Sequence, residues 1–239
     1  MRLPLAEVRM ALKSGVSLFD GLSDEGFEQV VSLARDSKCA KNETLFRQGD
    51  AANAFYLVLS GRLKISQTTQ DGQQIIIRYL GAKEIAGCVA VCGGVPYPAT
   101  ATAVEDTWAM TWSRARIADL AARYPDLAFN AMRIMSGRTV ELQERLQEIQ
   151  SERVEGRVAH ALARLALQAG RRTAEGVEID FPLSRQDLAD MTGTTLHTVS
   201  RTLSAWEARG IVAGRRRKVV ILRPHELVVI GQNLPKASA

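Results

Sequence analysis

Ser184-Arg185-Gln186-Asp187-Leu188-Ala189-Asp190-Met191-Thr192-Gly193-Thr194-Thr195-Leu196-His197-Thr198-Val199-Ser200-Arg201-Thr202-Leu203 is the most constrained segment of this 239-residue chain. Ser184 and Asp187 form a capping box, in which each side chain accepts from the other residue's backbone N–H, so a short helix starts there. Gly193 then supplies the positive φ of a tight turn, and Thr195 caps a second helix. Ala189 and Val199 place small and apolar side chains where the two helices cross, with Leu188, Leu196 and Leu203 expected on the inner face. The pattern predicts a helix-turn-helix, which presents the start of its second helix to the major groove of DNA. Thr194, Thr195, His197, Thr198, Ser200 and Arg201 are then the outward contacts, with Arg185 beside them. Arg201 is the residue suited to guanine, because its planar fork matches O6 and N7.

The segment that follows has the composition of a β-hairpin with a basic tip: apolar residues flank Arg215, Arg216, Arg217 and Lys218. Beside a reading helix such a wing meets phosphates. The charge distribution agrees. The net charge of +5 lies wholly beyond residue 150, since residues 1–150 hold 17 Lys/Arg against 17 Asp/Glu. Ahead of this region, residues 154–169 read as a helix and 177–181 as a short strand.

Residues 125–151 read as one long helix that begins at Pro125. Ala128, Met132, Met135, Thr139, Leu142, Leu146 and Ile149 recur three and four apart, the seam of a parallel coiled coil. The seam predicts a homodimer, with Leu127, Ile134 and Val140 expected to pack on the helix's own domain. Residues 113–124 form a shorter helix before it. From 37 to 112 the chain is β-branched and aromatic, interrupted by Ser60-Gly61, Asp71-Gly72, Gly81 and Gly93-Gly94. This predicts a small barrel or roll of antiparallel strands, with 54–59, 62–67 and 73–80 the clearest. Ser23 caps a helix ahead of it.

Several function classes are disfavoured. No stretch has the roughly 20 unbroken apolar residues of a membrane span, and Glu7, Arg9 and Lys13 stand where a signal peptide is apolar, so a cytoplasmic protein is expected. No phosphate-cradling Gly-rich loop, nucleophile motif or metal-ligand spacing occurs, so neither an enzyme nor a metal site is expected. Cys39, Cys88 and Cys92 are too few for a disulfide scaffold. Cys88 and Cys92, four apart in an apolar segment, read as buried structural thiols or as a redox or metal sensor.

Taken together, Leu18-Phe19 with Leu22, Phe46-Arg47-Gln48-Gly49-Asp50, Phe55-Tyr56-Leu57-Val58-Leu59-Ser60-Gly61, Asp71-Gly72 and Thr198-Val199-Ser200-Arg201 resemble the Crp/Fnr family of bacterial transcription regulators. The resemblance implies an α+β chain: a cyclic-nucleotide-binding-type β-roll sensor (1–124), a dimerisation helix (125–152) and a winged helix-turn-helix (153–239). It implies double-stranded DNA with palindromic half-sites and RNA polymerase as partners.

Three features depart from the family. Family members that bind cyclic AMP use Gly-Glu and Arg-Ser or Arg-Thr pairs, whereas 85–101 here holds no cation or carboxylate, which disfavours cyclic AMP. The iron–sulfur branch needs four cysteines, one more than the chain has. Val95-Pro96-Tyr97-Pro98-Ala99-Thr100-Ala101 resembles the nitric-oxide-responsive branch, some of whose members use haem. With all three histidines (His160, His197, His225) outside the roll, haem would need a Cys, Met, Tyr or N-terminal ligand. The effector is therefore open. His197 stands where many members carry glutamate, and a neutral imidazole can accept or donate, so the operator base read there cannot be borrowed from theirs. The competing reading is a small-molecule-binding interaction module without specific DNA affinity.

Overall fold

The computed structural model describes residues 12–13, 15–92, 95–215 and 218–232, with the side chains of Val91 and Cys92 outside that set. The chain folds as two compact units, Met1–Gln67 with Arg78–Glu141, and Thr68–Ile77 with Leu142–Ala239.

The first unit is built on antiparallel strands. Helix α1 (Asp24–Ser32) is capped by Ser23, whose hydroxyl accepts from the Gly26 N–H. Strands β1 (Arg35–Cys39), β2 (Thr44–Phe46), β3 (Ala54–Thr68), β4 (Gln74–Leu80), β5 (Ile85–Ala86) and β6 (Thr100–Ser113) follow. Their sheet runs β1-β6-β3-β4, with β2 added to β6 and β5 to β3. Strand β3 corrects the expectation of two strands parted at Ser60-Gly61. It is continuous, and its register against β6 slips between Val58 and Leu63. Gly61 has φ 83°, and a Cβ there would lie 2.4 Å from the Asp106 carbonyl oxygen. The glycine thus bends the strand through a bulge instead of ending it, which lets one strand curl into a roll.

Phe19, Phe27, Phe55, Leu57, Trp112 and Leu120 fill the roll's core. Trp112 Nε1 donates to the Val30 carbonyl at 2.7 Å and ties β6 to α1. After a short helix α2 (Val89–Cys92) and the last strand come α3 (Arg114–Arg123), capped by Ser113, and α4 (Pro125–Ser151). Along α4, Ala131, Ile134, Arg138, Glu141, Arg145 and Glu148 form a half-buried row. The next row, Met132, Met135, Thr139, Leu142, Leu146 and Ile149, is exposed. Leu127 and Ile134 pack against the roll as expected. Val140 does not: it is 53% exposed, because it lies beyond the edge of the half-buried row.

The second unit contains α5 (Val154–Ala169), β7 (Gly170–Arg172), β8 (Val177–Ile179), α6 (Arg185–Thr192), α7 (Leu196–Ala208), β9 (Val212–Arg215), β10 (Lys218–Ile221) and α8 (Pro224–Gly231). Its sheet runs β7-β8-β10-β9. Strand β7 is exposed and polar, so no hydrophobic alternation announced it; the pairing of Arg172 with Val177 and Gly170 with Ile179 creates it. Leu162, Leu165, Ile179, Phe181, Leu188, Val199, Trp206 and Val220 are buried in this unit. Among the described residues no helix is long and apolar enough to cross a membrane.

Candidate nucleic-acid interface

Local chemistry sets the helix-turn-helix. Ser184 Oγ accepts from the Asp187 N–H at 3.0 Å, and Asp187 Oδ2 accepts from the Ser184 N–H at 2.9 Å. Gly193 ends α6 in the left-handed region (φ 61°, ψ 45°). Thr195 Oγ1 accepts from the Thr198 N–H at 3.2 Å and opens α7. Ala189 and Val199 are fully buried at the crossing.

Two arginines complete α6. Its terminal carbonyls lack partners within the helix. Arg145 of α4 donates to the Met191 carbonyl at 3.2 Å, and also to the carbonyl of Ile77. Arg157 Nε donates to the Thr192 carbonyl at 2.9 Å. Cations at a helix C-terminus also interact favourably with its dipole. Neither contact is visible from the motif, since the donors lie 46 and 35 residues away.

Helix α7 buries Val199, Thr202, Leu203 and Trp206. His197, Arg201, Ser204 and Ala205 are exposed, while Thr194, Thr198 and Ser200 are half-buried. Leu196 corrects the expectation of an inner-face residue: it is 46% exposed. As the first residue of α7 it has no preceding turn to pack under, and Val199 and Leu203 already fill the inner face. Thr195 and Thr198 also share a hydroxyl hydrogen bond at 2.9 Å, so both serve the cap.

The predicted cations divide by their partners. Arg185 pairs with Glu207 at 3.3 Å, and Arg215 with Glu175 at 2.5 Å. Lys218 reaches Glu178 at 2.8 Å and Asp180 at 3.3 Å, and Arg171 also reaches Glu178 at 2.9 Å. Hydrogen bonding to Lys218 holds the Glu178 carboxyl below its ordinary range, and the same contact raises Lys218. Arg201 is exposed and has no partner among the described residues. Arg216 and Arg217 lie outside the described residues.

In the roll, Cys88 is buried and its sulfur accepts from Arg138 Nη1 at 3.3 Å, while Arg138 Nη2 donates to the Ile85 carbonyl at 2.5 Å. Burial pushes the thiol up more than Arg138 lowers it, so it is protonated at neutral pH. That is the chemistry of a structural thiol. The Cys92 side chain lies outside the described residues. Arg138 brings to 85–88 a cation that the segment itself lacks, but it is engaged by a carbonyl and a thiol, and no carboxylate stands at Gly87-Cys88 for a ribose. The residues present do not fit a cyclic nucleotide held in the family's manner. Of the side chains that could hold a haem, Cys39, Cys88, Tyr79, Tyr97 and Met110 are packed in the interior. The Tyr97 hydroxyl is occupied, donating to the Ala54 carbonyl at 2.7 Å and accepting from the Ala54 N–H at 3.1 Å. Among the described residues no group of three or more His, Cys, Asp or Glu is placed to hold a metal.

Residues 37–124 match the cyclic nucleotide-binding domain family, and residues 156–230 the Crp-like helix-turn-helix domain family. The chain is 31% identical over 198 residues to the cyclic AMP receptor protein of Thermus thermophilus, covering 83% of this chain and 88% of that protein. It is 28% identical to the transcriptional activator protein FnrA of Stutzerimonas stutzeri, covering 83% and 80%. The structure of FixK2 from Bradyrhizobium japonicum superposes with a TM-score of 0.73 at 23% identity, covering 86% of this chain and 99% of that one, which is a likeness of fold.

Proposed function

This chain belongs to the Crp/Fnr family of DNA-binding transcription regulators, and on that footing we propose that it works as a homodimer reading a palindromic operator with α7. The relatives are regulators and not enzymes, and an interaction module without DNA affinity is not favoured. The observation that carries the reading is Arg201. It is an exposed guanidinium on the outward face of α7 without a partner among the described residues, whereas Arg185, Arg215 and Lys218 are ion-paired.

Within this reading, residues 1–124 sense, 125–152 dimerise and 153–239 read. Met132, Met135, Thr139, Leu142, Leu146 and Ile149 support the dimer, since a seam of five large apolar side chains left in water is costly until a second copy covers it. His197 and Arg201 read base edges. Thr194, Thr195, Thr198, Ser200 and the wing residues 215–218 hold backbone phosphates. Bound upstream of a promoter in the cytoplasm, the dimer contacts RNA polymerase as an activator. Its effector is neither cyclic AMP nor an iron–sulfur cluster. Nitric oxide through haem is not assigned, because among the described residues Cys39, Cys88, Tyr79, Tyr97 and Met110 are already packed. The sequence likeness to that branch rests on 95–101 alone.

Enrichment of bound duplexes from a random-sequence library tests this reading. An inverted repeat with half-sites about one helical turn, 10–10.5 base pairs, apart is the expected product. Recovery of no preferred sequence would overturn it.

A further inference from the structure

The two wing cations among the described residues, Arg215 and Lys218, are already neutralised within the protein. Lys218 lies between Glu178 and Asp180 at 2.8 and 3.3 Å. Glu178 is only 7% exposed and also takes Arg171, so that pairing belongs to the sheet. Arg215 is held differently. Its one ion-pair partner among the described residues is Glu175, at 2.5 Å, and the two side chains are 53% and 57% exposed. Glu175 sits in the turn between β7 and β8. There Thr173 Oγ1 accepts from the Glu175 and Gly176 N–H groups at 3.3 and 3.2 Å, and the Thr173 N–H donates to the Gly176 carbonyl at 2.8 Å. The turn is thus fixed by its own hydrogen bonds, and the ion pair can open without disturbing it. Exposed ion pairs are weak, and a guanidinium fork fits phosphate as well as carboxylate. Glu175 therefore occupies the cation that a DNA phosphate would take. A paired arginine adds no net charge to the wing, so it contributes nothing to the release of counterions from a duplex.

Resting on the DNA-reading function above, we propose that Glu175 stands in for DNA phosphate on Arg215 and so sets how strongly the wing holds any duplex. Binding exchanges one anion for another at Arg215, a step that gains little, whereas Arg201 on the reading helix has no such competitor among the described residues. The carboxylate holds down the sequence-independent part of the affinity without touching a base. Restraint of that kind matters because non-specific sites far outnumber operators.

The test titrates the full-length protein with the enriched operator and with a scrambled duplex across a salt series. Glu175→Gln should bind both duplexes more tightly, by up to about fivefold per wing, the range an exposed ion pair is worth. Its slope of log affinity against log salt should steepen by about 0.9 per wing, the contribution of one uncovered cation. Glu175→Asp, which keeps the charge, should leave the slope unchanged and so separates loss of the carboxylate from a damaged turn. The decisive comparison repeats Glu175→Gln in an Arg215→Ala background, where the gain should vanish because no cation is left to uncover. An unchanged slope in Glu175→Gln, or an equal gain with and without Arg215, overturns the proposal while leaving the DNA-reading function in place; the second result would mark a general effect of net charge. Failure of the parent protein and of Glu175→Gln to bind any duplex would overturn that function, and this inference with it.

Discussion

Arg201 and Arg216 differ in what they do to sequence preference. A bidentate guanine contact discriminates one base pair, whereas a wing cation facing phosphate strengthens binding to every sequence. Arg201→Ala should therefore lose about 1–3 kcal/mol of discrimination at one step of each half-site, measured by competition among single-base operator variants. Neutralising Arg216 should weaken all duplexes alike and lower the slope of affinity against salt; a variant whose preference pattern changes instead contradicts the assignment. Cys88 makes a different prediction. Buried and protonated beside Arg138, it should resist iodoacetamide in the native protein and react at the rate of a free thiol only in denaturant. Rapid native alkylation would return it to the sensor class.

The elements carry the second set of expectations. On α4, Leu142→Glu places two like charges against each other across a parallel seam and removes two buried leucines per dimer. At about 1.5–3 kcal/mol each, dimer affinity should fall by at least about a hundredfold, read by sedimentation. In the second sheet, Glu178 joins Lys218 and Arg171 across β10, β8 and β7. Its folded carboxyl lies below the unfolded one, so its stabilisation is complete above the ordinary carboxylate range and is lost as pH falls through the lowered value. Between pH 7 and 3 the thermal midpoint of Glu178→Gln should fall less steeply than that of the parent protein. Parallel curves would show that the pairing adds nothing.

How much of this was legible in the sequence follows from the range of each interaction. The Ser184 box, the Gly193 turn, the Thr195 cap and the exposed apolar row of α4 are set within a few residues of chain and were all visible. The unity of β3, the polar strand β7 and the capping of α6 by Arg145 and Arg157 depend on partners tens of residues away, so no local pattern marked them. Leu196 failed in the opposite way: periodicity placed it inside, but a helix's first residue has no turn beneath it.

At the scale of the whole molecule, the proposed dimer asks for a second copy along α4 and the proposed operator reading asks for DNA at α7. Both demands meet in one titration. The enriched operator, an isolated half-site and a scrambled duplex would be titrated with protein across a salt series, with the number of chains per duplex counted by native mass spectrometry. The account predicts two chains on the full operator, affinity falling linearly in logarithm with salt, and a preference over scrambled duplex that Arg201→Ala sharply reduces. One chain per operator, or equal affinity for the scrambled duplex, would contradict it.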